Sequence, residues 1–435
     1  MTGPRLHIVL RSPEITLKGR NQGDFWSQLR ANVRHVLRRL KLRWPVKMTK
    51  GRLYVEAHDY STESLGTVVD ALQRVAGVTS LAPAIRLRRG DLFANGELDR
   101  ATVEELVVNL AREKYRPEST FAVRVHRVDK RFPLASSELE TWLGRAIRKH
   151  TEWDRVRLDN PDQTFSIDIY SDGMLFYGDR PRGIGGLPVG TSGPILGLLS
   201  GGIDSPVASY LLARRGCTVD WIHMSASQIH EGDFETSVPG QLARQLSRYT
   251  LRSRLFVVPY THFDLALSGR TTGHEPVLFR RFLFRVAEAV ARKTGAISLV
   301  TGDSLSQVAS QTIENLIATD KAIDLPILRP LVGFDKNEIM KIAETIGTYE
   351  TSILPYKDCC ALYSRRVKTR SRDRTLSSIE DQNLPNYDEL IELSLADTMW
   401  AGYDCGEVIT AHRGMDGISG GARAAQLSGS YCARS

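Results

Sequence analysis

Hydrophobic positions change rhythm along the chain, and each rhythm predicts a different set of elements. The opening run Arg5-Leu6-His7-Ile8-Val9-Leu10 reads as a strand, whereas residues 22–41 place Phe25, Leu29, Val33, Val36, Leu37 and Leu40 at helical spacing. Strands near 46–49 and 52–57 and a helix over about 62–75, closed by Gly77, follow. The order strand–helix–strand–strand–helix predicts a ferredoxin-like α+β domain over residues 1–83. A second α+β unit, 84–180, is expected from a helix at 101–113, the alternating strand Phe121–Arg127, a helix opening at Ser136 and strands at 164–170 and 173–177.

Past the glycine-rich stretch Gly183–Gly190, read as a hinge, the rhythm changes again. Short apolar runs near 195–199, 219–224, 255–259, 297–301 and 326–328 alternate with helical patterns near 206–215, 237–250, 276–293, 307–317 and 335–346. That alternation predicts an α/β doubly wound parallel sheet over 181–375, with ligands at the carboxyl ends of its strands. The remaining 376–435 is a C-terminal extension with an acidic helical segment near 387–397 and a last stretch rich in Gly, Ser and Ala, expected to be mobile.

Composition narrows the classes. No run of eighteen apolar residues predicts a membrane span, and Met1-Thr2-Gly3-Pro4-Arg5 has no signal-peptide pattern. Five cysteines in 435 residues do not make a disulfide framework, so a reducing cytoplasmic setting is expected. Charge is uneven: nine Lys/Arg and no Asp or Glu lie between Arg30 and Arg52. Basic residues also mark the strand at 121–127 and the end of the helix opening at Ser136. Such clusters point to a polyanion, nucleic acid ahead of membrane, although an ordinary solvated helix face has the same composition. Lys18, Arg34, Arg38, Arg124, Arg127, Lys130, Arg145 and Lys149 are the candidate RNA contacts.

The most specific chemistry follows the apolar run Ile195–Leu199. Ser200-Gly201-Gly202-Ile203-Asp204-Ser205 leads into a helix with Pro206 in its first turn. A strand–Gly loop–helix unit aims backbone N–H groups and a helix N-terminus at one point, which suits phosphate. No Gly-Lys dipeptide occurs in the chain, so this is not the Lys-containing phosphate loop; it resembles the PP-loop of ATP pyrophosphatases. His223-Met224 ends the next strand, Arg280-Arg281 interrupts an apolar helix, and Thr301–Thr312 is dense in hydrogen-bonding groups. Cys359-Cys360 sits near Lys357 and Lys336, cations suited to a thiolate, and lacks the partners of a zinc site.

Taken together these stretches resemble the tRNA 4-thiouridine synthetases, the ThiI family. The likeness rests on Arg11–Asn21, Phe121–Glu138, the PP-loop, Thr301–Asn315, Pro326–Leu331, Asp335-Lys336, Ile346–Glu350 and Asp358-Cys359-Cys360, and spans roughly residues 5–370. It implies a ferredoxin-like domain, a THUMP RNA-binding domain and a PP-loop domain that uses ATP with Mg²⁺ to adenylate uridine 8 of tRNA. Persulfide sulfur from a cysteine desulfurase then displaces AMP. Carried over by position, Leu198, Leu199, His223, Met224, Arg280, Gly302 and Gln311 would contact ATP, and Ser200, Gly201, Gly202, Asp204 and Ser205 would cradle pyrophosphate. Cys360 aligns with the catalytic cysteine, and Asp204 and Lys336 with residues of adenylation, Asp204 being a candidate to hold Mg²⁺. Some relatives append a rhodanese domain whose cysteine carries the persulfide; the tail here is too short for one, so Cys360 itself, Cys359, or else Cys405 or Cys432, is expected to carry sulfur or resolve the disulfide.

Asp303 and Ser306 stand where Glu and Gly are expected, and Arg280 where Lys is common. A homodimer is compatible with the family, and sulfur transfer to thiamine thiazole synthesis is implied only for some members. The rivals are another PP-loop tRNA thiolase, an amidating synthetase, and a THUMP RNA-binding protein with an inactive PP-loop domain.

Overall fold

Strand β1 (Arg5–Arg11) lies inside the first sheet, pairing antiparallel with β3 (Arg52–Glu56) and β4 (Ser80–Arg88). The computed structural model describes residues 5–415 and 418, apart from 50, 95, 228–229, 269–271, 308–310, 357–369, 385 and 416–417. Its chain divides into two compact units, 1–186 and 187–435.

In the first unit, helix α1 (Gln22–Arg39) buries Leu29, Val33, Val36 and Leu37 of the face its spacing predicts, but Trp26 is buried where Phe25 is expected, and Phe25 and Leu40 are only half-buried. Strand β2 (Val46–Thr49) precedes β3, and α2 (Thr62–Gln73) follows it with Ser61 as N-cap. Beyond β4 come α3 (Arg100–Glu113), β5 (Phe121–Arg127), α4 (Ser136–His150), β6 (Gln163–Tyr170) and β7 (Gly173–Tyr177). These seven strands form one sheet in the order β2-β3-β1-β4-β7-β6-β5, and the short strands Phe93–Ala94 and Glu97–Leu98 pair separately. Strand β4 serves both halves, bonding β1 along one edge and β7 along the other, so position 83 lies inside a continuous strand.

Arg11 on β1 bonds Asp168 on β6, whose carboxylate also accepts from Tyr170 Oη at 2.8 Å and Tyr177 Oη at 3.3 Å. Burial works against the Arg11 charge, but Asp168 and Tyr177 beside it hold its pKa above the ordinary arginine value. Asp168→Ala strands a guanidinium that is only 13 % exposed, and the expected loss of stability is about 3–5 kcal/mol, read by urea unfolding.

The glycine-rich stretch is tied down rather than loose. Gly183, Ile184 and Gly185 donate to the carbonyls of Thr79, Gln73 and Val78, and Leu187, the first residue of the second unit, donates to Arg214. A Cβ at Gly183 would strike the Val78 carbonyl, so the close approach requires glycine.

The second unit begins with β8 (Pro194–Leu198), α5 (Asp204–Arg214), β9 (Thr218–Ser225), α6 (Val238–Thr250) and β10 (Arg252–Pro259). It continues through α7 (Glu275–Thr294), β11 (Leu299–Val300), α8 (Ile313–Asp320), β12 (Ile327–Leu328) and α9 (Lys336–Ile346). Helices α10 (Asp373–Asn383) and α11 (Tyr387–Ala396) and a hairpin, β13 (Met399–Asp404) with β14 (Glu407–Arg413), complete it. The strand order is β12-β11-β8-β9-β10-β13-β14, the first five parallel and the last two antiparallel. From β8 the chain steps outward to β9 and β10, then returns to the other side for β11, which sets the topological switch point beside the β8–α5 loop.

Two expectations change. The helix anticipated at 307–317 starts instead at Ile313, because Ser306 adopts φ +61° and the Thr312 side chain caps the Asn315 N–H. The extension is not merely a helix with a loose tail: β13 pairs with β10 and widens the sheet, while Leu376, Leu384 and Leu395 join the same apolar core as Phe256 and Phe282. Residues 419–435, expected to be mobile, lie outside the described residues.

Candidate active site

Glycine at 197 lets α5 lie close on β8, since a Cβ there would sit 2.9 Å from Ser209 Oγ and 3.1 Å from Trp221 Cδ1. The loop that follows is fastened by its own serines. Ser200 N–H donates to Ser205 Oγ at 2.9 Å, the two hydroxyls lie 3.0 Å apart, and Gly202 N–H reaches Ser200 Oγ at 3.3 Å. Asp204 and Ser205 thus begin α5 at its positive end, with Gly202 exposed to solvent.

From the other side of the switch point comes Gly302. A Cβ there would lie 2.6 Å from Ser205 N and 2.8 Å from Asp204 C, so β11 delivers backbone directly against the first turn of α5. Next to it Asp303, 3 % exposed, gathers Arg280, Arg329 (3.0 Å), Thr301 Oγ1 (2.7 Å) and Gln311 Nε2 (3.3 Å). Burial pushes the Asp303 carboxyl up, but Arg280, Thr301 and Arg329 prevail and hold it at about 2. It therefore stays ionised throughout the neutral range. Arg280 Nε and Gln311 Oε1 are buried with no hydrogen-bond partner among the described residues, which is what a polar ligand at this corner would relieve.

Lys336, the first residue of α9, places its Nζ 2.6 Å from Asp204 Oδ1, so the two residues expected to serve adenylation meet. His223 lies near the carboxyl end of β9: its Nδ1 lies 2.8 Å from the Leu199 carbonyl and its Nε2 2.6 Å from Tyr356 Oη. Because a carbonyl can only accept, Nδ1 carries the proton and Nε2 accepts from the tyrosine. Met224 points the other way, into the apolar core with Ile222 and Phe256, and Leu198 packs against the same cluster.

Ser200, Gly201, Gly202, Asp204, Ser205, Gly302, Arg280, Gln311 and Lys336 are thus linked around one loop through the contacts above, with Leu199 and His223 at its base. Cys359, Cys360 and Cys432 lie outside the described residues. Cys405 follows Asp404, which pairs with Arg252 at the start of β10, so it sits at the amino-end edge of the parallel strands. The PP-loop opens at the carboxyl-end edge, and eight residues of β10 separate the two edges by roughly 25 Å. Cys217 is buried, which raises its thiol pKa and leaves it an inert core residue.

The basic candidates divide. Arg34 and Arg38 line a cleft of about 430 Å³ with Arg43 and Trp44. Arg124, Lys130, Arg145 and Lys149 are exposed, and Lys18 lies over the Phe25 ring. Arg127 instead staples its own loop, donating to the carbonyls of Phe132 and Leu134. Phe121, Val123 and Val125 share a core with Leu139 and Leu143 of α4, so Arg124 faces away from that helix and is not flanked by Arg145 and Lys149.

Asp303, Arg329 and Tyr356 had not stood out as site residues. Arg329 and Tyr356 are nevertheless inside or beside recognisable motifs.

A family model described as thiamine biosynthesis protein (ThiI) matches residues 190–384, a ThiI ferredoxin-like domain matches 7–82, and a THUMP domain matches 99–179. A probable tRNA sulfurtransferase of Brevibacillus brevis is 36 % identical over 397 residues, covering 90 % of this chain and 94 % of that one. The chain belongs to the ThiI family. A Moorella thermoacetica relative of the same description is 38 % identical over 357 residues, 82 % of this chain and 87 % of its own. Among solved structures, a 4-thiouridine synthetase–RNA complex with bound ATP superposes with a TM-score of 0.79 at 32 % identity, covering 94 % of this chain and all of the other. Membership in the ThiI family assigns the serine-fastened loop to the PP-loop and β5–β7 with α3 and α4 to the THUMP domain.

Proposed function

We propose that this protein is an ATP-dependent tRNA sulfurtransferase that converts uridine 8 of tRNA to 4-thiouridine. The observation that carries the reading is the PP-loop corner, where the unpartnered Arg280 Nε and Gln311 Oε1 sit beside Gly302 and the start of α5. ATP fits this corner by its chemistry: the loop N–H groups and helix terminus receive phosphate, and Arg280 supplies a cation. Mg²⁺ fits the donor set too, since it is commonly held by one or two carboxylates with substrate phosphates, and Asp204 supplies one. When bound it would neutralise charge on the departing pyrophosphate.

Lys336 shares that task and orients Asp204. The uridine 4-oxygen is a poor leaving group until it carries AMP. It attacks the α-phosphorus and pyrophosphate leaves; the outer sulfur of a Cys360 persulfide then attacks C4 and AMP departs. A second thiol takes the Cys360 sulfur as a disulfide, releasing 4-thiouridine, and an external thiol reductant restores the pair. The persulfide donor is a cysteine desulfurase. Exposed basic residues of the THUMP domain and α1 hold the tRNA by shape and backbone rather than by sequence. No helix among the described residues is long and apolar enough to cross a membrane.

Nucleoside mass spectrometry on unmodified tRNA, incubated with the protein, ATP-Mg²⁺, cysteine, a cysteine desulfurase and a thiol reductant, tests this reading. Appearance of 4-thiouridine supports it, and a different thiolated base overturns it in favour of another thiolase. Cys360→Ser is expected to lower the yield by a factor on the order of 10³ or more, as loss of a nucleophile does. Cys405→Ser, at the far edge of the sheet, is expected to stay within about twofold, as a change remote from the chemistry should.

A further inference from the structure

Tyr356 is bound to the nucleotide corner at two points. Its hydroxyl donates to His223 Nε2 at 2.6 Å, and its ring lies so close to Gly201 that a Cβ there would strike Cδ1 and meet Cγ and Cε1 at 3.1 Å. His223 is held in turn by the Leu199 carbonyl, at 2.8 Å, which fixes the tautomer able to accept from Tyr356. His223 is 2 % exposed, so its acceptor has little recourse to water if the tyrosine leaves. This relay runs from the end of β8 through an imidazole to a side chain 133 residues later. Nearby, Ser352 Oγ reaches the Gly202 carbonyl at 3.4 Å, so two residues of this stretch rest on the PP-loop.

The anchoring has a use beyond shape. Cys360 follows Tyr356 by four residues, and four residues of chain reach at most about 14 Å. Fixing Tyr356 on Gly201 and His223 therefore limits how far the reactive sulfur can be from the loop where the substrate is adenylated. Without the anchor the tether begins further back and its reach grows. Because displacing a reacting group by an ångström can cost orders of magnitude in rate, the second chemical step is the one that depends on this anchor.

Resting on the sulfurtransferase reading, we propose that Tyr356 is a positioning residue for sulfur delivery. Through His223 and Gly201 it ties the cysteine-bearing segment to the PP-loop, so that adenylated uridine meets sulfur before water. Failure of the anchor lets water take the place of the sulfur nucleophile: C4 is attacked by water, AMP leaves, and uridine is regenerated with its original oxygen count. ATP is then spent and pyrophosphate released without a thiolated base.

The test compares wild type, Tyr356→Phe and Tyr356→Ala, full length, with tRNA, ATP-Mg²⁺, cysteine, cysteine desulfurase and a thiol reductant. Pyrophosphate and 4-thiouridine are counted in the same reactions, and folding is checked by thermal melting. Tyr356→Ala removes ring and hydroxyl and is expected to raise pyrophosphate released per 4-thiouridine by about tenfold or more. Tyr356→Phe keeps the ring on Gly201 and should give a smaller rise, of about threefold, because only the bond to His223 is lost. A ratio that stays at the wild-type value in the folded variants, even if both products fall together, overturns the proposal and leaves Tyr356 a structural part of the nucleotide corner. Should Tyr356→Ala not fold, the Phe variant alone decides, by a raised or an unchanged ratio. Wild type making pyrophosphate but no 4-thiouridine would instead mark failure of the sulfurtransferase reading.

Discussion

Gly302→Ala is expected to weaken ATP binding by about ten- to a hundredfold while the protein remains folded, as over-packing that costs about 1–3 kcal/mol would. The new Cβ would lie 2.6 Å from Ser205 N, 2.8 Å from Asp204 C and 2.9 Å from Ser205 Cα. All three are backbone atoms, so no side chain can swing aside. On the Gly302 side there is equally little give, because Thr301 N–H is bonded to the Leu328 carbonyl and Asp303 is held by Arg280 and Arg329. Strain must therefore pass into the first turn of α5, where the N–H groups proposed to receive phosphate are aimed. Titration calorimetry with ATP reads the affinity, and Gly232→Ala, where an added Cβ meets nothing within 4 Å, controls for the substitution itself. ATP binding within about twofold of wild type, less than half a kcal/mol, would mean the cradle is more pliant than this geometry allows.

That clash illustrates which parts of the molecule could be read in advance. Helix α1, strand β5 and the Ser-Gly-Gly-x-Asp-Ser loop each announce themselves within a dozen residues, by helical spacing, by alternation and by turn chemistry. What escaped was set by contacts between distant residues. Strand β4 carries no local mark that it will bond β1 and β7 together, and the Asp303 cluster joins Arg280 and Arg329 from 23 and 26 residues away.

Hairpin β13–β14 did leave a sign. Asp404-Cys405-Gly406 is a turn in which Cys405 and Gly406 both take positive φ, between runs containing Trp400, Tyr403, Val408 and Ile409. An adjacent acidic helix made the same stretch read as a tail. Motif resemblance found Asp204 and Lys336 as a pair of important residues; only coordinates put them 2.6 Å apart.

Arg281, beside Arg280 in sequence, argues that the extension is part of the fold. Its place in an apolar helix does not name its partners, and the structure buries it. With its side chain 2 % exposed, it donates to Glu380 at 2.9 and 3.1 Å, to Asp373 at 2.7 Å and to the Ala318 carbonyl at 2.6 Å. Arg285 adds two bonds to the same Glu380, at 3.0 and 3.1 Å. One turn of α7 thus grips α10 while the neighbouring Arg280 grips Asp303 at the nucleotide corner. Arg281→Ala leaves buried acceptors unmet, and a loss of about 3–5 kcal/mol follows from breaking one side of a buried pair. For a unit of this size that is a fall of roughly 6–20 °C in the melting temperature. Arg281→Met with Glu380→Leu should recover a large part of the loss, since well-packed apolar groups commonly replace a buried ion pair at little cost. Calorimetry on both variants separates the two effects. A single variant that melts within about 3 °C of wild type, near 1 kcal/mol, would show that the apolar contacts of Leu376, Leu384 and Leu395 hold the extension without the ion network.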